Sequence, residues 1–351
     1  MYEFRWPTRT LVGAGLIEQV GGYVTPPSTA GRLLLVAPQE AWVRPLVQRI
    51  AAQLRETGWE RVETFAEVEP NPSWETVARG AEQGKAAGAS AVLAVGGGSS
   101  MDAGKVIAER CGAVFLCTVP TTAGTGGEIS PWAVISNTQT RMKDSVTAKW
   151  PDLALLDPGL TLSLPPRATL FTGVDALAHG VEAYLSSAAT PITDALAWQG
   201  ISLVADNLRT VVTDGENLAA RQAMLEGSLL AGAAMLWAGL GLAHAIANPM
   251  GGLYHHLAHG HVLVACLGPV VEFNAPAAPD RVKRLRPLLE RTLADADELA
   301  RSLAVEPVTM PEAEVALLAQ NAIVNVNVKS NPRPVSEPDV VAVARESFKI
   351  E

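Results

Sequence analysis

The sequence predicts two parts of different class: an α/β N-terminal part built on a doubly wound, Rossmann-like parallel sheet, and an all-α C-terminal domain. Three observations predict it. Strand-like and helix-like runs alternate over residues 32–120, and beyond about Pro165 the runs become long, rich in Ala and Leu, and helical in spacing. Between them in kind stands AVLAVGGGSSMDAGK (91–105), where small apolar residues pass through three glycines into a helix-compatible segment. The expected domains are 1–162 and 163–351, joined through the proline-bearing linker DPGLTLSLPPR (157–167).

Each element follows from local pattern. RLLLVAP (32–38) reads as a buried strand, 40–57 as a helix, RVETFAEV (61–68) as a strand and 73–87 as a helix. AVLAV (91–95) is the next strand, 101–111 a helix and AVFLCTVP (113–120) a strand. The second part offers helices at 168–187, 191–214, 218–247 and 281–303, with almost no β-branched runs. In a parallel sheet of this kind ligands sit beyond the carboxyl ends of the strands, so the cleft between the two domains is the expected site.

Composition excludes several classes. At 351 residues and 48% hydrophobic content the chain can bury a large core, and a formal net charge of -9 offers no basic footprint for nucleic acid or an anionic membrane. Three cysteines without a CxxC pair argue against a disulfide framework or a thiolate zinc site. The start MYEFRWPTRT has no basic segment followed by an apolar core, so a cytoplasmic location is the expectation. The uncharged run 227–243 approaches the length of a membrane span, but its Gly and Ala content reads better as a buried helix packed closely on its neighbours.

Two groups of residues carry chemistry. Asp175 and His179 stand four apart on a helix, which puts carboxylate and imidazole on one face within reach of one ion. The other five histidines, His244, His255, His256, His259 and His261, fall within 18 residues. A lone histidine on an apolar helix is usually a core residue; the clustering favours a divalent first-row metal such as iron or zinc over calcium or magnesium. The glycine turn after AVLAV points backbone N–H groups and a helix N-terminus at one spot, which suits either a phosphate or plain tight-turn chemistry.

GGGSSMDAGK (96–105), PTTAGTGGEIS (120–130), PDLALLDPGLT, TGVDALAHGVEAYLS, HAIANPMGG and NPRP occur in the order found in the iron-containing, group III alcohol dehydrogenase family of the dehydroquinate synthase-like superfamily, which the chain resembles over most of its length. The resemblance implies a metal-dependent, NAD(P)-linked alcohol dehydrogenase or aldehyde reductase acting on a small alcohol or aldehyde, with a dinucleotide-binding domain facing a helical one. It implies that Asp175, His179 and His244 are metal ligands, that Gly96, Gly97, Gly98 and Ser99 hold the pyrophosphate, that Thr121, Thr122 and Thr125 line the nicotinamide region, and that Asp102 and Lys143 contact the cofactor's polar groups. Fe2+ is the favoured ion and Zn2+ the alternative. Blander readings stand beside these: Asp102 and Lys105 as an exposed helix pair, Thr122 and Thr125 as turn caps, and Glu182 as a solvated group or a partner of a ligand.

The chain departs from the family pattern at three places. Asn248 stands where a second histidine, discussed as a proton relay, is usual, so a relay needs His255 or His256 instead. YHHLAHG is one residue longer than the usual pattern; the Gly that follows His259 matches the family's HG, which makes His259 the expected fourth ligand. Pro38 replaces an acidic residue at the end of the first strand, so no carboxylate repels a 2'-phosphate and NADP is expected to serve at least as well as NAD. Glycerol dehydrogenase-like and maleylacetate reductase-like activities stay within the redox class. A sugar-phosphate cyclase-type lyase would need cations, yet residues 171–274 hold only Arg209 and Arg221, and a non-catalytic cofactor-binding descendant is opposed by the retained Asp175, His179 and His244. Trp132 and Trp150 read either as walls of an apolar pocket or as core. The segment YEFRWPTRTLVG could add a strand across a homodimer.

Overall fold

The computed structural model describes residues 2–26, 31–140, 142–254 and 256–351. They form two compact units, Met1–Thr122 with Gly127–Thr161, and Ala123–Gly126 with Leu162–Glu351.

The first unit runs β1 (Arg9–Val12), α1 (Val20–Tyr23), β2 (Arg32–Pro38), α2 (Arg44–Glu56), β3 (Arg61–Val68), α3 (Trp74–Ala87), β4 (Ala91–Gly96), α4 (Gly98–Cys111), β5 (Phe115–Pro120), β6 (Trp132–Asn137), β7 (Met142–Thr147) and β8 (Leu153–Leu156). Six strands make one parallel sheet in the order β1-β8-β5-β4-β2-β3, while β6 and β7 pair separately and antiparallel. Along β2, Leu33, Leu35 and Ala37 pack with Val43, Val47, Ile50 and Leu54, and Leu34 and Val36 pack on the opposite face with Val77, Val106 and Ile107. Alternate residues therefore enter different cores, which is why the strand is apolar throughout. β4 ends beside β2 and β5, with Gly96 paired to Pro120, so the glycine turn opens at the carboxyl edge of the sheet.

The second unit contains α5 (Pro166–Leu185), α6 (Pro191–Thr213), α7 (Leu218–Ala238), α8 (Leu242–Leu253), α9 (His259–Asn274), α10 (Pro279–Ser302), α11 (Glu312–Ile323) and α12 (Glu337–Ser347), with two-residue strands β9 (Thr309–Met310) and β10 (Lys349–Ile350) paired in parallel. The helix expected over 218–247 is in fact two. Gly239, at φ +75°, ends α7 in a left-handed conformation open to glycine, and α8 restarts after a bend of 102°. No single helix among the described residues is long and apolar enough to cross a membrane.

Candidate active site

α5 carries Asp175, His179 and Glu182 at spacings of four and three residues, so one buried helix face presents all three. His244 is the third residue of α8 and His259 the first of α9. Their rings converge on one oxygen: His244 Nε2 lies 3.4 Å, His259 Nε2 3.7 Å and His179 Nε2 3.8 Å from Asp175 Oδ1. Asp175, His244 and His259 each offer a donor atom within 4.8 Å of the others. The rings of His179 and His244 stack at 4.5 Å.

Hydrogen bonds at the far side of each ring decide what faces Asp175. His179 Nδ1 lies 3.1 Å from the Gly124 carbonyl, which can only accept, so the proton sits on Nδ1 and Nε2 presents a lone pair. His244 Nδ1 donates in the same way to Glu182 Oε2 at 2.5 Å. Burial opposes charging His244, but Glu182 and then Asp175 outweigh it and push the imidazole up to about 9. Burial alone would raise Asp175; the three histidines reverse that and hold its carboxyl well below the usual range. Asp175 Oδ1 and His244 Nε2 are buried 3.4 Å apart without a well-formed hydrogen-bond partner, a costly arrangement for two polar atoms. The donor atoms of Asp175, His244 and His259 lie close enough together to share one cation, and imidazole nitrogens with a single carboxylate suit a divalent first-row ion.

His259 owes its place to its neighbours. A Cβ on Gly260 would fall 1.9 Å from the carbonyl oxygen of Phe171, so only glycine lets α9 begin this close to α5. His261 then stacks on the Phe171 ring at 5.0 Å, and its Nε2 lies 2.9 Å from the Glu306 carbonyl. The HG pair is thus a packing requirement as well as a motif. His256 is exposed, edge-on to the Tyr254 ring at 6.2 Å, and lies outside the Asp175 group; His255 lies outside the described residues. Asn248 is half-buried on α8.

In the first unit, Gly96 has φ +143°, and a Cβ there would sit 2.4 Å from Ser100 Oγ. Gly97 is the N-cap of the 14-residue α4 and brings no side chain to it, so the positive end of that helix carries no side-chain cap. Thr121 N–H donates to the Gly96 carbonyl, Thr121 Oγ1 is buried without a partner, and Gly97 lies against Thr122. A bare glycine N-terminus with a cradle that a Cβ would fill fits a pyrophosphate. Pro38 abuts this turn, its Cδ 3.2 Å from the position of a Gly96 Cβ. Ser99 Oγ accepts the Asn71 N–H, and Lys143 Nζ donates to Asn71 Oδ1 at 2.9 Å. The exposed-pair reading of Asp102 and Lys105 fails: Lys105 is wholly buried and donates to Asp102 and to the Trp132 carbonyl, while Asp102 also accepts the Val134 N–H. Thr125 belongs to the second unit and Thr121 and Thr122 to the first.

Family models match both parts of the chain: the description "Iron-containing alcohol dehydrogenase" covers residues 7–158 and "Fe-containing alcohol dehydrogenase family, C-terminal" covers residues 169–348. The chain belongs to the iron-containing alcohol dehydrogenase family. Among curated relatives it is similar to a choline dehydrogenase of Bacillus subtilis, 32% identical over 99% of this chain and 96% of the relative, and to a 1-propanol dehydrogenase of Salmonella typhimurium, 37% identical over 79% and 82%. An iron-containing alcohol dehydrogenase structure from Thermotoga maritima superposes with a TM-score of 0.90 at 28% identity, covering 99% of both chains. As a member of the iron-containing alcohol dehydrogenases, the chain is an oxidoreductase acting on CH–OH groups, metal-dependent and nicotinamide-linked.

In this iron-containing dehydrogenase, sequence reasoning misses Asn71 and leaves Glu182 between two readings. Of the two readings of Glu182, as a solvated group or as a partner of a ligand, the solvated one fails: Glu182 is buried, and its Oε2 accepts the His244 Nδ1–H. Its signal is present, a carboxylate three residues beyond His179 on an otherwise apolar helix face. Asn71, at φ +57°, ties Ser99 to Lys143; its only trace is the turn-like EPNPS.

Proposed function

We propose that the chain interconverts short alcohols and aldehydes, with a divalent ion, Fe2+ before Zn2+, held by Asp175, His179, His244 and His259. The observation that carries this reading is the convergence of three Nε2 atoms on Asp175 Oδ1 at 3.4 to 3.8 Å. At such a donor set a divalent ion supplies Lewis acidity to a carbonyl or alcohol oxygen, and NAD(P) supplies or accepts the hydride. The chain's own residues do the rest. Glu182 and the Gly124 carbonyl hold the His244 and His179 rings with Nε2 inward. Gly96, Gly97, Gly98 and Ser99 are assigned to a pyrophosphate, Thr121, Thr122 and Thr125 to the nicotinamide region, and Asp102 and Lys143 to the cofactor's polar groups.

The similarity to dehydrogenases named for 1-propanol and 1,3-propanediol supports a short alcohol or aldehyde as substrate. Pro38 beside Gly96 supports use of NADPH at least as well as NADH. The test is metal analysis with steady-state kcat/KM for a panel of short aldehydes against both cofactors, on wild type and Asp175→Ala. Asp175→Ala should lose its ion and its rate together. Full activity in metal-free protein would overturn the site, and a preference for NADH above about tenfold, or 1.4 kcal/mol, would overturn the cofactor reading. A homodimer is also proposed: β1 is an edge of the sheet, with Val12 and Trp6 exposed along it.

A further inference from the structure

The NPRP motif (331–334) plays no part in the chemistry above, yet its asparagine is buried in the second unit. α8 opens on Gly241, which brings no side chain to cap the helix. Its first three N–H groups are nonetheless met from remote elements: Leu242 N–H donates to Asn331 Oδ1 at 3.1 Å, Ala243 N–H to Glu182 Oε1 at 2.7 Å, and His244 N–H to Glu182 Oε2 at 3.4 Å. A Cβ on Gly241 would stand 2.8 Å from Asn331 Oδ1 and 2.9 Å from Glu182 Oε1, so glycine is what admits both. Asn331 is itself fixed, its Nδ2 donating to Asn274 Oδ1 at 2.8 Å and to the Arg333 carbonyl at 2.7 Å, while its Oδ1 accepts from Asn274 Nδ2 at 3.1 Å. The same Glu182 oxygen that accepts the His244 backbone N–H also accepts its ring Nδ1–H at 2.5 Å.

We propose that Asn331 and Glu182 form a remote two-residue cap on α8 whose purpose is to position His244. Asn331 sets the first turn of α8, Glu182 sets both that turn and the imidazole, and the C-terminal NPRP motif thereby acts on the metal site without touching an ion. The inference rests on the metal-site reading above. Ligand-orienting partners of this kind typically change metal affinity by roughly 10- to 100-fold when removed.

The test is chelator-competition titration of the metal-free full chain with Co2+, together with the visible spectrum of the Co2+ protein and urea unfolding of the metal-free form. Asn331→Ala and Glu182→Gln should each bind Co2+ about 10- to 100-fold more weakly and show an altered spectrum. Asn217→Ala removes an ordinary cap from α7, where Asn217 Oδ1 accepts the Ala220 N–H, and should lower stability while leaving Co2+ affinity and spectrum intact. Should Asn331→Ala fail to fold, Asn274→Ala carries the same expectation, since it removes both bonds between the two amides and no residue of α8. Wild-type affinity and spectrum in the folded Asn331 or Asn274 variant, and in Glu182→Gln, overturn the proposal. No saturable Co2+ binding in wild type, or binding unchanged in Asp175→Ala, overturns the metal-site reading first.

Discussion

At the residue scale, the site depends on where protons sit. His179 and His244 each donate outward through Nδ1, to Gly124 and Glu182, so both rings are held with Nε2 toward the Asp175 carboxylate. His259 has a different support, the close approach of Gly260 to Phe171 and the stacking of His261. The expected outcome is that His259→Ala loses metal by more than the roughly 10- to 100-fold typical of losing a ligand's partner. His256→Ala should keep its metal, because His256 is exposed and outside the group. Metal content of the two purified variants decides it, and an ion retained in His259→Ala but lost from His256→Ala reverses the assignment. Asp175 and His179 are legible as a pair in the sequence because helix geometry alone brings residues four apart together. The Gly124 carbonyl behind His179 is not legible, since it reaches the ring through packing that no local spacing encodes, whereas Glu182 is legible as a carboxylate on the same helix face but not as the partner of His244 in particular.

At the scale of elements, β2, β4 and β5 are readable because strands buried on both faces are near-continuous apolar runs, β3 because β-branched and aromatic residues recur along it as on an edge strand, and α3 and α6 because their ends carry caps in Ser73 and Thr190. The β6 and β7 ribbon escapes notice. Its strands are half-exposed and mixed in polarity, and they pair with each other rather than with the sheet. The break between α7 and α8 is written in Gly239 and Gly241, but an apolar Ala-rich context masks it. The short helical turn before β6 holds Glu128, buried with Oε1 unpartnered. Burial pushes this carboxyl up from 4.5 to about 7, against smaller opposing effects of its own backbone N–H and Lys105. The folded chain therefore keeps a proton that the unfolded chain releases, so the destabilisation from this group is absent below pH 4.5, grows as pH rises to about 7 and then levels. Glu128→Gln should remove that slope, on the order of 3 kcal/mol across the window at about 1.4 kcal/mol per pKa unit. Urea unfolding of both proteins at pH 5 and pH 8 measures it, and parallel pH curves would count against the buried, proton-bearing carboxyl.

At the scale of the whole molecule, the parallel sheet leaves β1 paired only with β8 among the described strands. An open strand edge with exposed apolar side chains is a template for pairing, and a second copy of the chain is the occupant proposed for it. Light scattering should give twice the chain mass, and Val12→Asp should shift the protein toward monomer while leaving metal binding unchanged. A wild-type monomer at micromolar concentration would remove the proposal.

The carbonyl that sets the His179 tautomer comes from a four-residue segment, Ala123–Gly126, that interrupts the first unit between β5 and β6 yet belongs to the second. Heredity meets a constraint here. Recombination that joins the sheet of one relative to the helices of another at residue 162 would transplant His179 without the Gly124 that lies 55 residues upstream. The exchangeable cassette is therefore discontinuous in the gene, and crossovers that respect the histidine's proton must carry the loop along with the helices or keep both parents alike in its backbone.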